Sequence, residues 1–367
     1  MHYLDNASTT RVTRSAANAA LDAMLNRFGN PSSVHSLGIE AEGIISRARK
    51  ELADALGCKP QEIYFTSGGT EADNLAVIQG AELQKRKGRH IITTSIEHPA
   101  VINAMKYLAS NGFEVTFLSP EKDGTVSLEA FEQSVRRDTV LVSMMLCNNE
   151  TGAFQPVAEA VRLFREKNPD GLFHTDAVQA FMKQRFDVRS LGVDLLSVSS
   201  HKIHGPKGAG ALYVRGGVKM KPLLHGGNQE SGLRSGTEAV PAIAGFGEAV
   251  REARANLQNN MEKIDRLRGR LIAGLARLPK VELIAAGSAI ITLAVPKYPT
   301  EVIIRLLESR NIFVSGGSAC SRGKSSHVLE AMKVQPNLIK SSVRVSLSWH
   351  NTDEDIDALL LALEEIA

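Results

Sequence analysis

The stretch Ser197-Val-Ser-Ser-His-Lys-Ile-His-Gly-Pro-Lys-Gly-Ala-Gly210 places Lys202 between two apolar runs. Val193-Asp-Leu-Leu-Ser-Val-Ser199 predicts a strand, and Ala211-Leu-Tyr-Val214 predicts the next one. Gly205, Pro206, Gly208 and Gly210 bend the chain between them. Lys202 therefore falls at the end of a strand, in a tight turn. An amine held at the mouth of a sheet can attack a carbonyl and form a Schiff base. A solvated loop lysine or a lysine that binds phosphate would give the same local pattern.

The flanking sequence repeats the strand–turn–helix pattern. Glu62-Ile-Tyr-Phe-Thr66, Arg89–Thr94, Glu114–Leu118, Thr139–Leu146 and Leu172-Phe-His-Thr-Asp176 read as strands. Helical spacing occupies Ile39–Leu56, Thr70 to about Lys87, Pro99–Ser110, Leu128–Arg136 and Val157–Lys167. This alternation predicts an α/β fold with a mostly parallel sheet. In such sheets ligands gather at the carboxyl ends of strands. His98, Asn149, Asp176 and Lys202 all fall just after strands. Ser67-Gly-Gly-Thr70 opens a helix after a strand, and free backbone N–H groups with the helix dipole make such a place an anion site. A long helical region over about Val240–Leu278 is expected to bend near Gly245 and Gly247. After it come strand Ala289–Val295, helix Thr300–Arg310, strand Val343–Leu347 and helix Asp353–Ile366.

A length of 367 residues predicts about two domains. With 43% hydrophobic and 23% charged residues the composition is that of an ordinary soluble protein. The net charge of +3 comes without a dense basic block, so no nucleic-acid partner is expected. No apolar run approaches the ~18 residues of a membrane span, and Met1-His-Tyr-Leu-Asp-Asn6 does not read as a signal peptide. Three cysteines without a CxxC argue against a disulfide framework or a structural zinc site. A cytoplasmic location and no metal are the expectations.

Ser199-Ser-His-Lys-Ile-His-Gly-Pro-Lys-Gly208 resembles the cofactor-lysine motif of the cysteine desulfurases, a branch of the class V aminotransferase family. Tyr3-Leu-Asp-Asn-Ala-Ser-Thr-Thr10, Gly29-Asn-Pro-Ser-Ser-Val-His35 and His174-Thr-Asp-Ala-Val-Gln179 are similar to further motifs of that family, and the likeness runs from Tyr3 to at least Arg344. The usual proline after the second threonine is Arg11 here. The resemblance implies fold type I of the transferases that use pyridoxal 5'-phosphate (PLP). It implies a large cofactor-binding domain over residues 15–251, and a smaller α/β domain over 1–14 and 252–367. Lys202 would bind the cofactor, Asp176 would face its pyridine nitrogen, and Gln179 its ring oxygen. His98 would stack on the ring and move protons. Gly69, Thr70, Ser199 and His201 would hold the phosphate, together with Thr237 from a second subunit, which implies a homodimer. Arg344 would hold the carboxylate of L-cysteine through paired hydrogen bonds, with Asn149 as a second anchor.

Among the cysteines, Cys147 ends an apolar strand and reads as core, and Cys58 follows a helix stop. Cys320 lies in Ser315-Gly-Gly-Ser-Ala-Cys-Ser-Arg-Gly-Lys-Ser-Ser326, beside Arg322 and Lys324, whose charges favour thiolate. Gly317-Ser-Ala-Cys320 resembles the family's sulfur-accepting signature, Ser-Gly-Ser-Ala-Cys, with glycine at both positions before its second serine. The resemblance thus implies conversion of L-cysteine to L-alanine, with sulfur passed to Cys320 as a persulfide for an acceptor protein, either an iron–sulfur scaffold or a tRNA-thiolation enzyme. The sequence after Cys320 differs from the housekeeping members, and the tail that those members use for a scaffold partner is missing after the last helix. A selenocysteine lyase or a class V aminotransferase on the same scaffold is the rival enzyme. A sulfur-relay protein is the rival without catalysis.

Overall fold

A computed structural model describes residues 1–317 and 325–367. Its strands are β1 (His2–Tyr3), β2 (Ile63–Thr66), β3 (His90–Thr94), β4 (Glu114–Leu118), β5 (Thr139–Ser143), β6 (Leu172–Asp176), β7 (Leu195–Ser199), β8 (Gly210–Val214), β9 (Glu282–Ala286), β10 (Ile290–Ala294), β11 (Ile312–Phe313) and β12 (Ser342–Ser346). Seven of them form one sheet in the order β2-β8-β7-β6-β5-β3-β4. All its neighbours pair in parallel except those of β8, which runs antiparallel to β2 and β7. The α/β class and the mostly parallel sheet expected from the alternation are therefore present.

Burial explains why these runs are strands. Every residue of β3, β5, β6, β7 and β8 is buried, as a sheet covered on both faces requires. On one face Phe131, Phe164, Phe173 and Phe181 pack with the helices Arg14–Leu25, Ser36–Leu56 and Val240–Ala255. On the other face Leu141, Leu172 and Leu195 meet Leu75, Ala76 and Leu108. Gly57, at φ 70°, ends the helix Ser36–Leu56 as a left-handed cap.

A second, smaller sheet has the antiparallel order β12-β10-β9. Ile291, Leu293, Val343 and Val345 from it pack with Leu267, Leu271, Leu359 and Leu363. Leu4 joins this core from the N-terminal segment, and β1 pairs in parallel with β11. Among the described residues no helix is long and apolar enough to cross a membrane.

The expected bend near Gly245 and Gly247 is absent. Both lie inside the helix Val240–Ala255, and the chain breaks instead at Asn256, before the helix Leu257–Leu275. The glycines serve close approach. A Cβ on Gly245 would stand 2.4 Å from Pro206 Cγ, and one on Gly247 would stand 2.7 Å from Ala48 Cα. The long helix thereby seats the turn that follows Lys202. The helix after Gly68 also differs from an even α-helix, because Leu75–Gln79 forms a π-helical segment within it.

Candidate active site

The carboxyl ends of β3, β5, β6 and β7 open on one cavity of about 220 Å³. Gly69, Thr70, His98, Asn149, Asp176, Gln179, Ser199, His201, Lys202 and Arg344 all line it. Thr237 is exposed and is not among the lining residues. Its loop is tied to the start of the helix at Gly69 by Arg234, whose Nε lies 2.9 Å from Glu71 Oε1. Cys320 lies outside the described residues.

Lys202 sits in a single helical turn after β7. Its Nζ donates to the carbonyls of Ala7 at 2.6 Å and Ser8 at 2.8 Å. Neither contact is with a carboxylate. Burial, with help from the charges of Lys183 and Arg344, pulls the amine down to about 7. A large share of Lys202 is then uncharged at neutral pH, which is what a nucleophilic amine requires.

Asp176 ends β6 and accepts the Val178 N–H at 2.9 Å. Burial pushes its carboxyl above the usual range. Gln179 donates to the Ala7 carbonyl at 3.0 Å and accepts from Lys183 Nζ at 3.1 Å. His98 caps the helix Pro99–Ser110, its Nδ1 accepting the Ala100 N–H at 3.2 Å. Burial and the nearby Lys202 hold His98 down to about 4, so its ring is neutral at pH 7 with the proton on Nε2.

The helix that starts at Gly69 has no side-chain cap. Gly68 holds φ 159° and ψ −179°, a conformation that L side chains rarely adopt, and a Cβ on Gly210 would stand 2.6 Å from the Gly68 carbonyl carbon. The strand before it is anchored by Glu230, which accepts the Phe65 N–H at 2.8 Å and pairs with both terminal nitrogens of Arg49 at 2.8 Å. Facing the open helix end, Ser199 Oγ is buried without a partner among the described residues. His201 Nδ1 lies 3.1 Å from Thr9 Oγ1.

Arg344, on β12, is 1% exposed. It donates to the Asn149 carbonyl at 2.8 Å, to Ser8 Oγ at 2.7 Å and to Asp5 Oδ1 at 3.1 Å. Its Nε has no partner among the described residues.

Sequence reading overlooked four neighbours of this cavity. Ala7 and Ser8 supply carbonyls to Lys202, and only the long-range fold brings them there. Asp73 lines the cavity from the helix after Gly69, where helical spacing from Gly69 could have marked it. Lys183, four positions after Gln179, is a 3% exposed lysine whose only signal is that i,i+4 spacing.

The family described as aminotransferase class-V matches residues 2–359 of the chain. The protein "Cysteine desulfurase IscS" of Methanosarcina thermophila is 44% identical, over 99% of this chain and 91% of its own length. A solved "NifS-like protein" superimposes with a TM-score of 0.94 at 40% identity, covering 99% of this chain and 98% of its own. A further structure, "SspA in complex with cysteine", gives a TM-score of 0.83 at 34% identity, with coverage of 96% and 100%.

Proposed function

The chain belongs to the class-V aminotransferase family, and we propose that it is a cysteine desulfurase that uses pyridoxal 5'-phosphate. The observation that carries this reading is the convergence of Lys202, Asp176, Arg344 and the uncapped helix start at Gly69 on one cavity. The residues present fit the cofactor. A phosphate needs donors, and the free N–H groups at Gly69 and Thr70 and the orphaned Ser199 hydroxyl offer them beside His201. A ring nitrogen needs an acid, and Asp176 is buried with no cation bonded to it. Gln179 would meet the ring oxygen and His98 the ring face.

When bound, the cofactor supplies an electron sink for negative charge at the α-carbon of an amino acid. The chain's own residues then divide the remaining work. Arg344 holds the substrate carboxylate, its Nε without a partner among the described residues and Asn149 beside it. Lys202, uncharged in large part near pH 7, receives and returns the α-proton at Nζ. His98 stays neutral and holds a proton at Nε2. Cys320 is the proposed sulfur acceptor: its thiolate forms the S–S bond as the substrate's Cβ–S bond breaks, leaving a persulfide on the enzyme and alanine as product. The persulfide then passes to an acceptor protein.

A homodimer is part of the same proposal. The segment 21–39 exposes Leu21, Met24, Leu25, Phe28, Val34 and Ile39, more apolar surface than one stretch leaves to water without a partner. A second copy covering it would let Thr237 complete a neighbouring phosphate site. The direct test supplies purified protein with PLP, L-cysteine and a thiol reductant. Sulfide and alanine should appear in equal amounts. Alanine formed only from selenocysteine, or amino transfer to a keto acid without sulfide, would replace this reading with one of its rivals.

A further inference from the structure

Beside Asp176 stands a second carboxyl that the proposed chemistry does not use. Asp73, on the helix that begins at Gly69, lines the same cavity and is 1% exposed. Among the described residues its Oδ1 has no hydrogen-bond partner. His174 Nε2 lies 3.6 Å from that oxygen. The imidazole brings no charge, because burial drives it down to about 3. Its nitrogens are engaged with Ser143 Oγ at 2.8 Å and Ser197 Oγ at 3.0 Å.

The groups acting on Asp73 come from each element packed around it: Asp176 and His174 on β6, Ser197 on β7, and the buried Glu97 after β3. Two are acids, one is a hydroxyl and one is a neutral ring. Lys202 acts on Asp176 rather than on Asp73. Two buried carboxyls with no cation against one of them do not both ionise at neutral pH. The cavity floor therefore stores a proton.

We propose that Asp73 is a positioning residue that keeps this proton, so that Asp176 alone presents a negative charge to a bound ring nitrogen. The role rests on the PLP reading above. Asp176 gains a cation when the ring is seated, and that attraction favours its ionised form. Asp73 gains none. Were it ionised instead, the ring would face two repelling charges, and an orphaned anionic oxygen would remain buried.

The experiment compares the parent with Asp73→Asn and Asp176→Asn, all stripped of cofactor. In Asp73→Asn the amide copies the shape and neutrality of a protonated acid, so PLP affinity, read by absorbance titration, should stay within about threefold of the parent. Asp176→Asn should lose tenfold or more. Thermal melting of the stripped proteins gives a readout that needs no cofactor. A carboxyl whose proton is held more tightly when folded lowers stability as pH rises above its unfolded value near 4. Only the parent carries that penalty at position 73. The melting temperature of Asp73→Asn minus that of the parent should therefore grow between pH 5 and 8, by roughly 2 °C per pH unit. A flat difference overturns the proposal, as does a loss of PLP affinity in Asp73→Asn equal to that in Asp176→Asn. If the parent itself takes up no PLP, the cofactor reading fails, and the melting series still decides where the proton resides.

Discussion

Nη2 of Arg344 lies 3.1 Å from Oδ1 of Asp5, a pairing between the two ends of the chain inside the candidate active site. Arg344 is nearly sealed from water while Asp5 keeps a fifth of its side chain exposed. Among the described residues the guanidinium thus has one carboxylate partner before any substrate arrives. Asp5→Asn should leave a buried cation without its counter-charge. The expected loss is on the order of 2 kcal/mol, below the ~3–5 kcal/mol of a fully buried pair because Asp5 is partly hydrated. Urea unfolding measures it, and a carboxylate ligand should restore part of the loss. Unchanged stability would mean that Ser8 and Asn149 hold Arg344 without Asp5.

Lys202 should capture PLP faster as pH rises, levelling off above about 7, because only the uncharged amine attacks. The charge of Lys183 helps to hold Lys202 down. Lys183→Met removes that charge, so the midpoint of the capture rate should move to higher pH. Stopped-flow absorbance across pH 6–10 reads the midpoint. No movement, in a variant that still folds, would show that burial alone depresses Lys202.

His98 should show a neutral ring with the proton on Nε2 throughout pH 5–8, since burial and Lys202 hold it down to about 4. Nitrogen chemical shifts report this directly. His98→Gln should lower kcat by about 10²–10⁴, the usual worth of a placed proton donor or acceptor. A loss confined to KM would assign His98 to binding only.

The thiols should separate by reactivity. Burial pushes both Cys58 and Cys147 up to about 12, so neither is thiolate at neutral pH. Iodoacetamide at pH 7 should label Cys320 first. Cys320→Ser should keep cofactor colour and lose sulfide production by orders of magnitude. Cys58→Ser should retain most activity. Cys147→Ser should too, at a stability cost of about 1–3 kcal/mol for burying a hydroxyl. Sulfide release at the parent rate from Cys320→Ser would refute the persulfide route.

The buried parallel strands were legible because each is a short apolar run bounded by turn residues, as Leu172–Asp176 shows. β1 and β11, two residues each, are too short for any periodicity to register. β9 is a half-exposed edge strand with no clean alternation. Gly245 and Gly247 misled for a different reason. Glycine weakens a helix and also permits close packing, and only the neighbours Pro206 and Ala48 decide between the two. Within the cavity, Lys202, Asp176 and Gly69 announce themselves by following strands. Ala7, Ser8 and Asp5 act from a segment with no regular pattern, through backbone carbonyls, one hydroxyl and one carboxylate. Their parts depend on contacts across most of the chain, which local sequence does not encode.

That segment also fixes an order of events during synthesis. Ser346 N–H donates to the Leu4 carbonyl at 2.7 Å, and Asn6 reaches the Ser346 carbonyl at 2.9 Å. The ribosome releases residues 4–8 long before it makes β12. The large sheet can close on its own neighbours early, while the strap that grips Lys202 and Arg344 waits for the last strand. A nascent chain is thus kept from assembling its amine and guanidinium into a working site until β12 has been translated.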